Sequence, residues 1–312
     1  MRSVTQPRVA VIGMGWVGAS VAISSLHRGV AGELLLNDIN SDLAEGEAMD
    51  LVHGGLFHGD ISVRAAGLAE IAETCDAAVI TAGRGSRPGE TRLDLLSANA
   101  AIVGSIASHF RGSSTLLVIV TNPVDVMTYV ACGASGLPPR RVIGTGTMLD
   151  SARLRQVVGR ELGIDSRSVH AHVAGEHGDS EICLWSSAHV GGRPLRQWEG
   201  WIRERELSCA DEVRRAAYEI IRRKGATNHA IGLVTAELLR GILKGERRIL
   251  TVSSLQERVA GVENVALSLP TLVTEQGAER VFTPDLDEDE RTALERSAGV
   301  LSSAIDALET AG

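Results

Sequence analysis

A glycine-rich turn between a strand and a helix constrains the fold of this chain more than any other feature. The apolar run at residues 9–12 leads directly into Gly13, Gly15 and Gly18, and a helix rich in alanine, valine and serine follows to about Arg28. Glycines at this spacing permit a tight turn and let a ligand approach the backbone at the start of the helix, where free N–H groups bind phosphate. The pattern therefore predicts the first strand and helix of a dinucleotide-binding sheet.

A carboxylate at the end of the next strand indicates which dinucleotide the chain binds. Apolar residues 34–36 predict a second strand, and Asp38 follows it, twenty residues beyond Gly18. A carboxylate in this position accepts hydrogen bonds from ribose hydroxyls and repels a 2′-phosphate. The alternative is a purely structural glycine turn with an incidental aspartate. The strand, the glycine turn, the helix that follows it and Asp38 together favour NAD over NADP as the cofactor.

Apolar strands separated by helical stretches continue through the first half of the chain, at residues 61–64, 77–81, 116–120 and 141–143. Continuous apolar strands alternating with helices are typical of a parallel sheet buried on both faces. We expect an α/β fold with a doubly wound parallel (Rossmann) sheet. Ligands of such sheets bind beyond the carboxyl ends of the strands, where Gly83 and Asn122 fall. Asn122 is also a plausible turn former before proline, so the sequence leaves its role open.

The pattern changes after Thr145. Helices are predicted at about residues 149–162, 211–224, 230–243 and 287–308, with strand-like segments at 169–190, 249–253 and 265–269. We therefore divide the chain into an NAD-binding domain at residues 1–145 and an α+β catalytic domain at residues 146–312. No flexible linker, repeat or low-complexity segment separates them.

The second half carries two polar segments suited to proton transfer and anion binding. His177 lies between glycines in the segment 175–179, and Asp150 and Arg153 are i,i+3 neighbours on a predicted helix. A histidine backed by a carboxylate exchanges protons near neutral pH. A guanidinium binds a planar carboxylate through two parallel hydrogen bonds. A surface histidine and an ordinary helical ion pair are the alternative.

Composition excludes several classes of partner. The net charge of −8 argues against nucleic acid, and no apolar run approaches the length of a membrane span. The four cysteines are scattered without a ligand spacing, so we expect reduced thiols and no metal site. The first eight residues lack a signal-peptide core. These features predict a cytoplasmic protein.

A polar loop at residues 84–92 connects the fourth strand to the next helix. It contains three arginines together with glycines and a proline. A loop of this composition can close over a bound anion and exclude water. A solvated connection is the alternative.

The order of these motifs resembles the family of L-lactate and malate dehydrogenases, and the lactate branch most closely. The matching segments are residues 13–18, Asp38, 88–95, 121–125, 149–153, 175–179 and 226–227. Together they span nearly the whole chain. The resemblance implies reversible hydride transfer between NAD and a 2-hydroxy acid, with the 2-oxo acid as the other substrate.

The resemblance also implies roles for individual residues. His177 is the acid–base group, Asp150 orients it, and Arg92 polarises the carbonyl. Substrate-binding positions are Arg153, Asn122, Ser86 and Thr227. Cofactor-binding positions are Gly13, Gly15, Trp16, Val17, Gly18, Asp38, Gly83, Ser105, Asn122 and Thr145.

Ser86 departs from the family pattern. Lactate enzymes carry glutamine at this substrate-selecting position, and malate enzymes carry arginine. Serine cannot pair with a second carboxylate, and it leaves room for a larger side chain. The resemblance favours a lactate dehydrogenase. A malate dehydrogenase, in which Arg87 or Arg84 would pair with the second carboxylate, and an enzyme for bulkier 2-hydroxy acids are the alternatives.

Arg155 and His170 match the positions with which allosteric bacterial lactate dehydrogenases bind fructose 1,6-bisphosphate. The resemblance therefore implies a homotetramer with this effector, whereas a solvated arginine and an ordinary histidine are the alternative. Two other functional classes compete with the dehydrogenase interpretation. These are a catalytically inactive NAD-binding sensor, and a glycosidase that uses NAD transiently.

Overall fold

The computed structural model describes residues 6–57, 59–85, 89–282 and 284–311. Its helices are α1 (Trp16–Arg28), α2 (Ser41–His53), α3 (Leu68–Thr74), α4 (Arg92–Ser108), α5 (Val124–Ser135), α6 (Met148–Leu162), α7 (Arg203–Lys224), α8 (His229–Leu243) and α9 (Glu288–Ala311). Its strands are β1 (Arg8–Ile12), β2 (Glu33–Asn37), β3 (Ser62–Ala65), β4 (Ala77–Ile80), β5 (Leu116–Ile119), β6 (Val142–Gly144), β7 (Val169–His170), β8 (Val173–Ala174), β9 (Ile182–Cys183), β10 (His189–Val190), β11 (Arg193–Pro194), β12 (Arg248–Val259), β13 (Val262–Thr274) and β14 (Gly277–Val281).

A large mixed sheet runs through the molecule in the order β14-β13-β12-β6-β5-β4-β1-β2-β3. The six strands of the first half are parallel, and the remaining three are antiparallel. The two parts join where Gly144 of β6 pairs with Ser253 of β12. The predicted parallel sheet is therefore present, and strands from the second half of the chain extend it.

Apolar side chains cover both faces of the parallel sheet. Ala10 and Ile12 of β1 belong to one buried cluster, whereas Val9 and Val11 belong to another. Because successive side chains of a strand point to opposite faces, this division requires packing on each side of the sheet. Helices supply that packing, as predicted for a doubly wound fold.

Helix α8, from the second half of the chain, packs against α1, next to the glycine turn. A Cβ at Gly232 would lie 2.5 Å from the carbonyl oxygen of Ser20, so only glycine fits at the crossing. The two halves of the chain consequently share a tightly packed interface beside the start of α1.

Several predicted boundaries differ from the structure. Helix α7 begins at Arg203, not near Asp211, and β14 was not predicted. Strands β12 and β13 extend well beyond the predicted segments 249–253 and 265–269. The start of α7 is mostly charged and buries only Glu206 and Cys209, so its sequence lacks a clear apolar stripe. Nowhere in the described ranges is a helix both long and apolar enough to cross a membrane.

Candidate active site

The glycine turn after β1 leaves the start of α1 open to a ligand. Gly13 has φ +99°, and a Cβ there would lie 2.6 Å from the backbone of Ala82. A Cβ at Gly18 would lie 1.8 Å from the carbonyl oxygen of Gly13. By contrast, a Cβ at Gly15, the N-cap of α1, would meet nothing within 4 Å. The turn is thus tight on its inner side and accessible on its outer side, where a pyrophosphate requires the backbone to be exposed.

The Asp38 carboxylate lies beside this turn. One of its oxygens accepts a hydrogen bond from the backbone N–H of Met14 at 2.7 Å, and the other accepts from that of Asn40 at 2.9 Å. The carboxylate is therefore fixed at the end of β2, next to the glycines. An open helix start with an adjacent acid fits the phosphates and ribose of NAD.

Two further strand ends reach the same edge of the sheet. Gly83 follows β4, and a Cβ there would lie 2.6 Å from the Thr121 side chain. Buried Asn99 of α4 accepts from the backbone N–H of Arg84 at 2.9 Å and donates to the carbonyl of Asn122 at 3.0 Å. Asn99 was not predicted, because nothing in the sequence distinguishes an asparagine that joins two loops from one on a helix surface.

The remaining predicted cofactor residues are less closely grouped. Trp16 is the first residue of α1 and is 62% exposed, whereas Val17 is half-buried. Thr145 is buried after β6, and its N–H donates to Ile119 at 2.9 Å. Ser105 is exposed near the end of α4, which places it about 20 Å from the start of that helix at 1.5 Å per residue. Its contact with the cofactor stays a prediction.

A hydrogen-bonded triad joins the two predicted polar segments. The Nδ1 atom of His177 lies 2.6 Å from Oδ2 of Asp150, and Arg153 donates to Oδ1 of the same carboxylate at 2.8 Å. Asp150 and Arg153 lie one turn apart on α6. Asp150 has 3% of its side chain exposed, compared with 13% for Arg153 and 26% for His177. The carboxylate is thus buried beneath two cations that remain accessible.

This arrangement favours the charged imidazole. Burial alone lowers the pKa of His177, but the hydrogen bond and negative charge of Asp150 outweigh it and raise that pKa to about 9. Burial acts against ionisation of Asp150 too, yet its two cationic partners hold the pKa of this carboxyl below its ordinary value. The resting site therefore holds a protonated histidine paired with an ionised aspartate.

The segment that carries His177 is held by residues from elsewhere in the chain. The N–H of His177 donates to buried Asp125 at 2.8 Å, and that of Glu176 donates to Ser297 of α9 at 2.8 Å. Gly175 has φ +82°, and a Cβ there would lie 2.6 Å from the hydroxyl of Ser297. Burial raises the pKa of Asp125 to about 6. These contacts fix the backbone on both sides of the histidine, and no sequence pattern pointed to Ser297.

Arg92 and His177 line the same recess, of about 250 Å³. Arg92 is the exposed first residue of α4, which begins with a capping box formed by Thr91 and Asp94. Thr227 is half-buried in the segment between α7 and α8. Ser86, with Arg87 beside it, falls outside the described residues.

The residues predicted to bind an effector lie apart from this recess. Arg155 of α6 donates to the carbonyl of Ala171 at 3.0 Å, and its guanidinium lies 3.4 Å from Nδ1 of His172. His170 is exposed on β7 and is paired across the sheet with His189 of β10. The histidine that the Arg155 side chain contacts is thus His172, which was not predicted, and not the predicted His170.

The site can bind a small carboxylate and move a proton. With Nδ1 of His177 held by Asp150, Nε2 is the ring nitrogen left to face a ligand. Arg153 uses one nitrogen on Asp150, which leaves donors for an anion. In the described part of the chain, no group of three or more histidine, cysteine or acidic residues has the geometry of a metal site.

Comparison with known sequences assigns the chain to a family. The model for the "lactate/malate dehydrogenase, NAD binding domain" matches residues 7–144, and that for the "lactate/malate dehydrogenase, alpha/beta C-terminal domain" matches residues 147–311. The chain belongs to the lactate/malate dehydrogenase family. The predicted family, fold class and NAD cofactor are confirmed, and the protein is an NAD-dependent oxidoreductase.

Relatives named as lactate enzymes match this member of the family over almost its whole length. L-lactate dehydrogenase of Kosmotoga olearia is 43% identical, with 96% of each chain covered. That of Thermus aquaticus is 44% identical, with 96% of this chain and 99% of the relative covered. A crystal structure of MGS-M5, a lactate dehydrogenase from a deep-sea metagenome library, superimposes with a TM-score of 0.93 at 39% identity, covering 98% of this chain and 99% of the other.

Proposed function

We propose that this protein is an L-lactate dehydrogenase, which interconverts pyruvate and L-lactate with NAD. The observation that carries the proposal is the triad of His177, Asp150 and Arg153, in which one buried carboxylate orients both a proton donor and an anion-binding guanidinium. The named relatives support the same activity. Because the reduction regenerates NAD from NADH, we also place the reaction at the end of glycolysis.

His177 is the acid–base group in this proposal. In pyruvate reduction its Nε2–H donates to the carbonyl oxygen, on which negative charge develops, and in lactate oxidation Nε2 accepts the hydroxyl proton. Asp150 keeps the ring oriented and stabilises its cation. The raised pKa ensures that the proton is present at neutral pH.

Two arginines serve the anionic parts of the substrate. Arg153, held in place by Asp150, binds the substrate carboxylate in a bidentate fork. Arg92 stabilises the developing oxyanion, since it lines the same recess as His177. Asn122 contacts the substrate as well, and Thr227 lines its side-chain pocket.

The NAD site is proposed around the glycine turn and the neighbouring strand ends. The residues that would hold the cofactor are Gly13, Gly15, Trp16, Val17, Gly18, Asp38, Gly83, Ser105, Asn122 and Thr145. When bound, the cofactor supplies or accepts the hydride. Asp38 selects NAD, because its fixed carboxylate disfavours a 2′-phosphate.

Ser86 makes substrate preference the most informative test. Initial rates of NADH oxidation should be measured with pyruvate, oxaloacetate and a branched 2-oxo acid. We expect the highest kcat/KM with pyruvate and appreciable rates with the branched acid, because a hydrophobic pocket discriminates by only about 1–3 kcal/mol per methylene. A preference for oxaloacetate would favour malate dehydrogenase. Binding of NADH without turnover of any oxo acid would favour the inactive sensor.

A homotetramer activated by fructose 1,6-bisphosphate is also proposed. Helix α2 and the turn after it expose a run of apolar side chains, among them Met49, Val52, Leu56 and Phe57, which a second copy of the chain would cover. Arg155 has no carboxylate within 4 Å among the described residues, and burial lowers its pKa. Such a cation, repeated across a two-fold axis, would favour a bridging bisphosphate.

The test of this regulation combines oligomeric state with kinetics. Size-exclusion chromatography should report a tetramer, and the bisphosphate should lower the KM for pyruvate. Arg155→Gln should abolish that response without changing the activated turnover, because Arg155 lies apart from the catalytic recess. Identical saturation curves with a tetramer already present would leave Arg155 and His170 as ordinary interface residues.

Two expectations about organisation complete the proposal. The division into domains at residues 1–145 and 146–312 is supported by the two ranges that the family models match. A cytoplasmic location is supported by the four cysteines, which are all buried and free of disulfides.

A further inference from the structure

Glu181 is a buried carboxyl, four residues after His177, that the proposed chemistry does not use. Only 7% of the residue is exposed, and within the described ranges its Oε1 atom has no hydrogen-bond partner. Arg153 forms its ion pair with Asp150 and not with Glu181, and neither Glu181 Oε1 nor Arg214 Nε has a hydrogen-bond partner among the described residues. The neighbouring thiol of Cys183 stays neutral, because burial raises its pKa. An ionised carboxylate without a partner is strongly disfavoured in such surroundings.

The charges that act on Glu181 include those of three residues of the proposed catalytic triad. Burial and the negative charge of Asp150 on α6 raise the pKa of Glu181 to about 8. The cations that oppose this rise are His177, Arg214 of α7 and Arg153 of α6. Arg214 also has a buried Nε atom without a partner among the described residues. The pKa of Glu181 therefore depends on the charges of the groups that would bind the oxo acid.

We propose that Glu181 is a buried carboxyl that takes up a proton when the oxo acid binds. The inference rests on the proposed function. The oxo acid brings a carboxylate to Arg153, and an ionised Glu181, in addition to the paired Asp150, would repel that anion. The complex of the oxo acid with the enzyme and NADH consequently forms with a neutral Glu181 carboxyl. Where Glu181 is ionised in the enzyme before the oxo acid binds, the proton comes from solvent.

Proton uptake on ligand binding tests this coupling. Oxamate, an unreactive analogue of pyruvate, is titrated calorimetrically into the enzyme–NADH complex at about pH 9, in buffers with different heats of ionisation. Because His177 takes up at most one proton, we expect more than one proton per site for the native protein and at most one for Glu181→Gln. Glu212→Gln, on an exposed part of α7, is the matched control and should behave as the native protein. Equal uptake by the native protein and Glu181→Gln would overturn the inference.

Thermal unfolding without ligands tests the neutral carboxyl separately. The pKa of Glu181 lies near 8 in the folded chain against 4.5 in the unfolded one, so the native protein loses stability as pH rises between these values. The Tm of Glu181→Gln minus the native Tm should therefore increase as the pH is raised from about 5 to about 8, and Glu181→Met, as a second variant, should show the same increase. A Tm difference that does not change with pH would overturn the inference. Failure of the native complex to bind oxamate would overturn the proposed function, and the proton coupling with it.

Discussion

Substituting Asp150 by asparagine removes the charge that keeps His177 protonated and largely preserves the shape of the side chain. In the native protein, burial lowers the histidine pKa, but the Asp150 hydrogen bond and charge raise it to about 9. The rise from 6.5 to about 9 corresponds to roughly 3 kcal/mol in favour of the imidazolium, at about 1.4 kcal/mol per pKa unit. In Asp150→Asn the burial, which is the largest single effect, is opposed only by the weaker charges of Asp125 and Glu181, so we expect the pKa of His177 to fall below 6.5.

The kinetic consequence has a defined sign. Pyruvate reduction requires the histidine cation, so kcat/KM is full below the pKa of His177 and is lost as pH rises through it. The descending limb should lie near pH 9 in the native protein and below pH 6.5 in Asp150→Asn. At neutral pH we expect a loss in kcat/KM on the order of 10²–10⁴, the usual range for a positioned acid–base group.

The assay is the initial rate of NADH oxidation by pyruvate from about pH 5 to about pH 10, which brackets both expected limbs. Glu161→Gln is the matched control, since it makes the same charge change at an exposed position of α6 and should keep the native profile. Circular dichroism should establish that Asp150→Asn is folded. A descending limb that stays near pH 9 in this variant would refute the electrostatic reasoning.

Four further substitutions test separate parts of the site. His177→Ala should lower turnover by on the order of 10²–10⁴ while leaving NADH binding, followed by fluorescence, almost unchanged, and near-native turnover would contradict its catalytic role. Asp38→Ser should reduce the preference for NADH over NADPH in steady-state kinetics, whereas an unchanged ratio would mean that Asp38 does not face the ribose. Gly13→Ala should lower the free energy of unfolding by roughly 1–3 kcal/mol in urea titrations, because its φ of +99° strains an alanine and the added Cβ would lie 2.6 Å from the backbone of Ala82. Gly15→Ala, whose Cβ meets nothing within 4 Å, should change stability little, and equal losses would refute the steric argument.

The sequence by itself determined the short-range features of this protein, which are its individual strands, helices, turns and helical residue pairs. The apolar strand, the glycines at 13, 15 and 18 and the acid at Asp38 predict a dinucleotide-binding unit, because hydrophobic periodicity and backbone freedom act over a few residues. The i,i+3 pair of Asp150 and Arg153 was predicted for the same reason and is present on α6. The segments around His177 and Arg92 were singled out by their residue types, and the roles of individual residues in them came from the family resemblance, which depends on residue identity and not on three-dimensional distance.

Only the tertiary structure decided how these segments meet. It brings His177 to 2.6 Å from Asp150, although 27 positions separate them, and it holds the neighbouring backbone with Asp125 and Ser297. It also extends the parallel sheet with antiparallel β12, β13 and β14, through the contact of Gly144 with Ser253. Burial and charge depend on distances between elements far apart in the chain, and local patterns contain no such information. The raised pKa of His177 and the carboxyl oxygen of Glu181 that has no partner among the described residues are therefore properties of the folded protein alone.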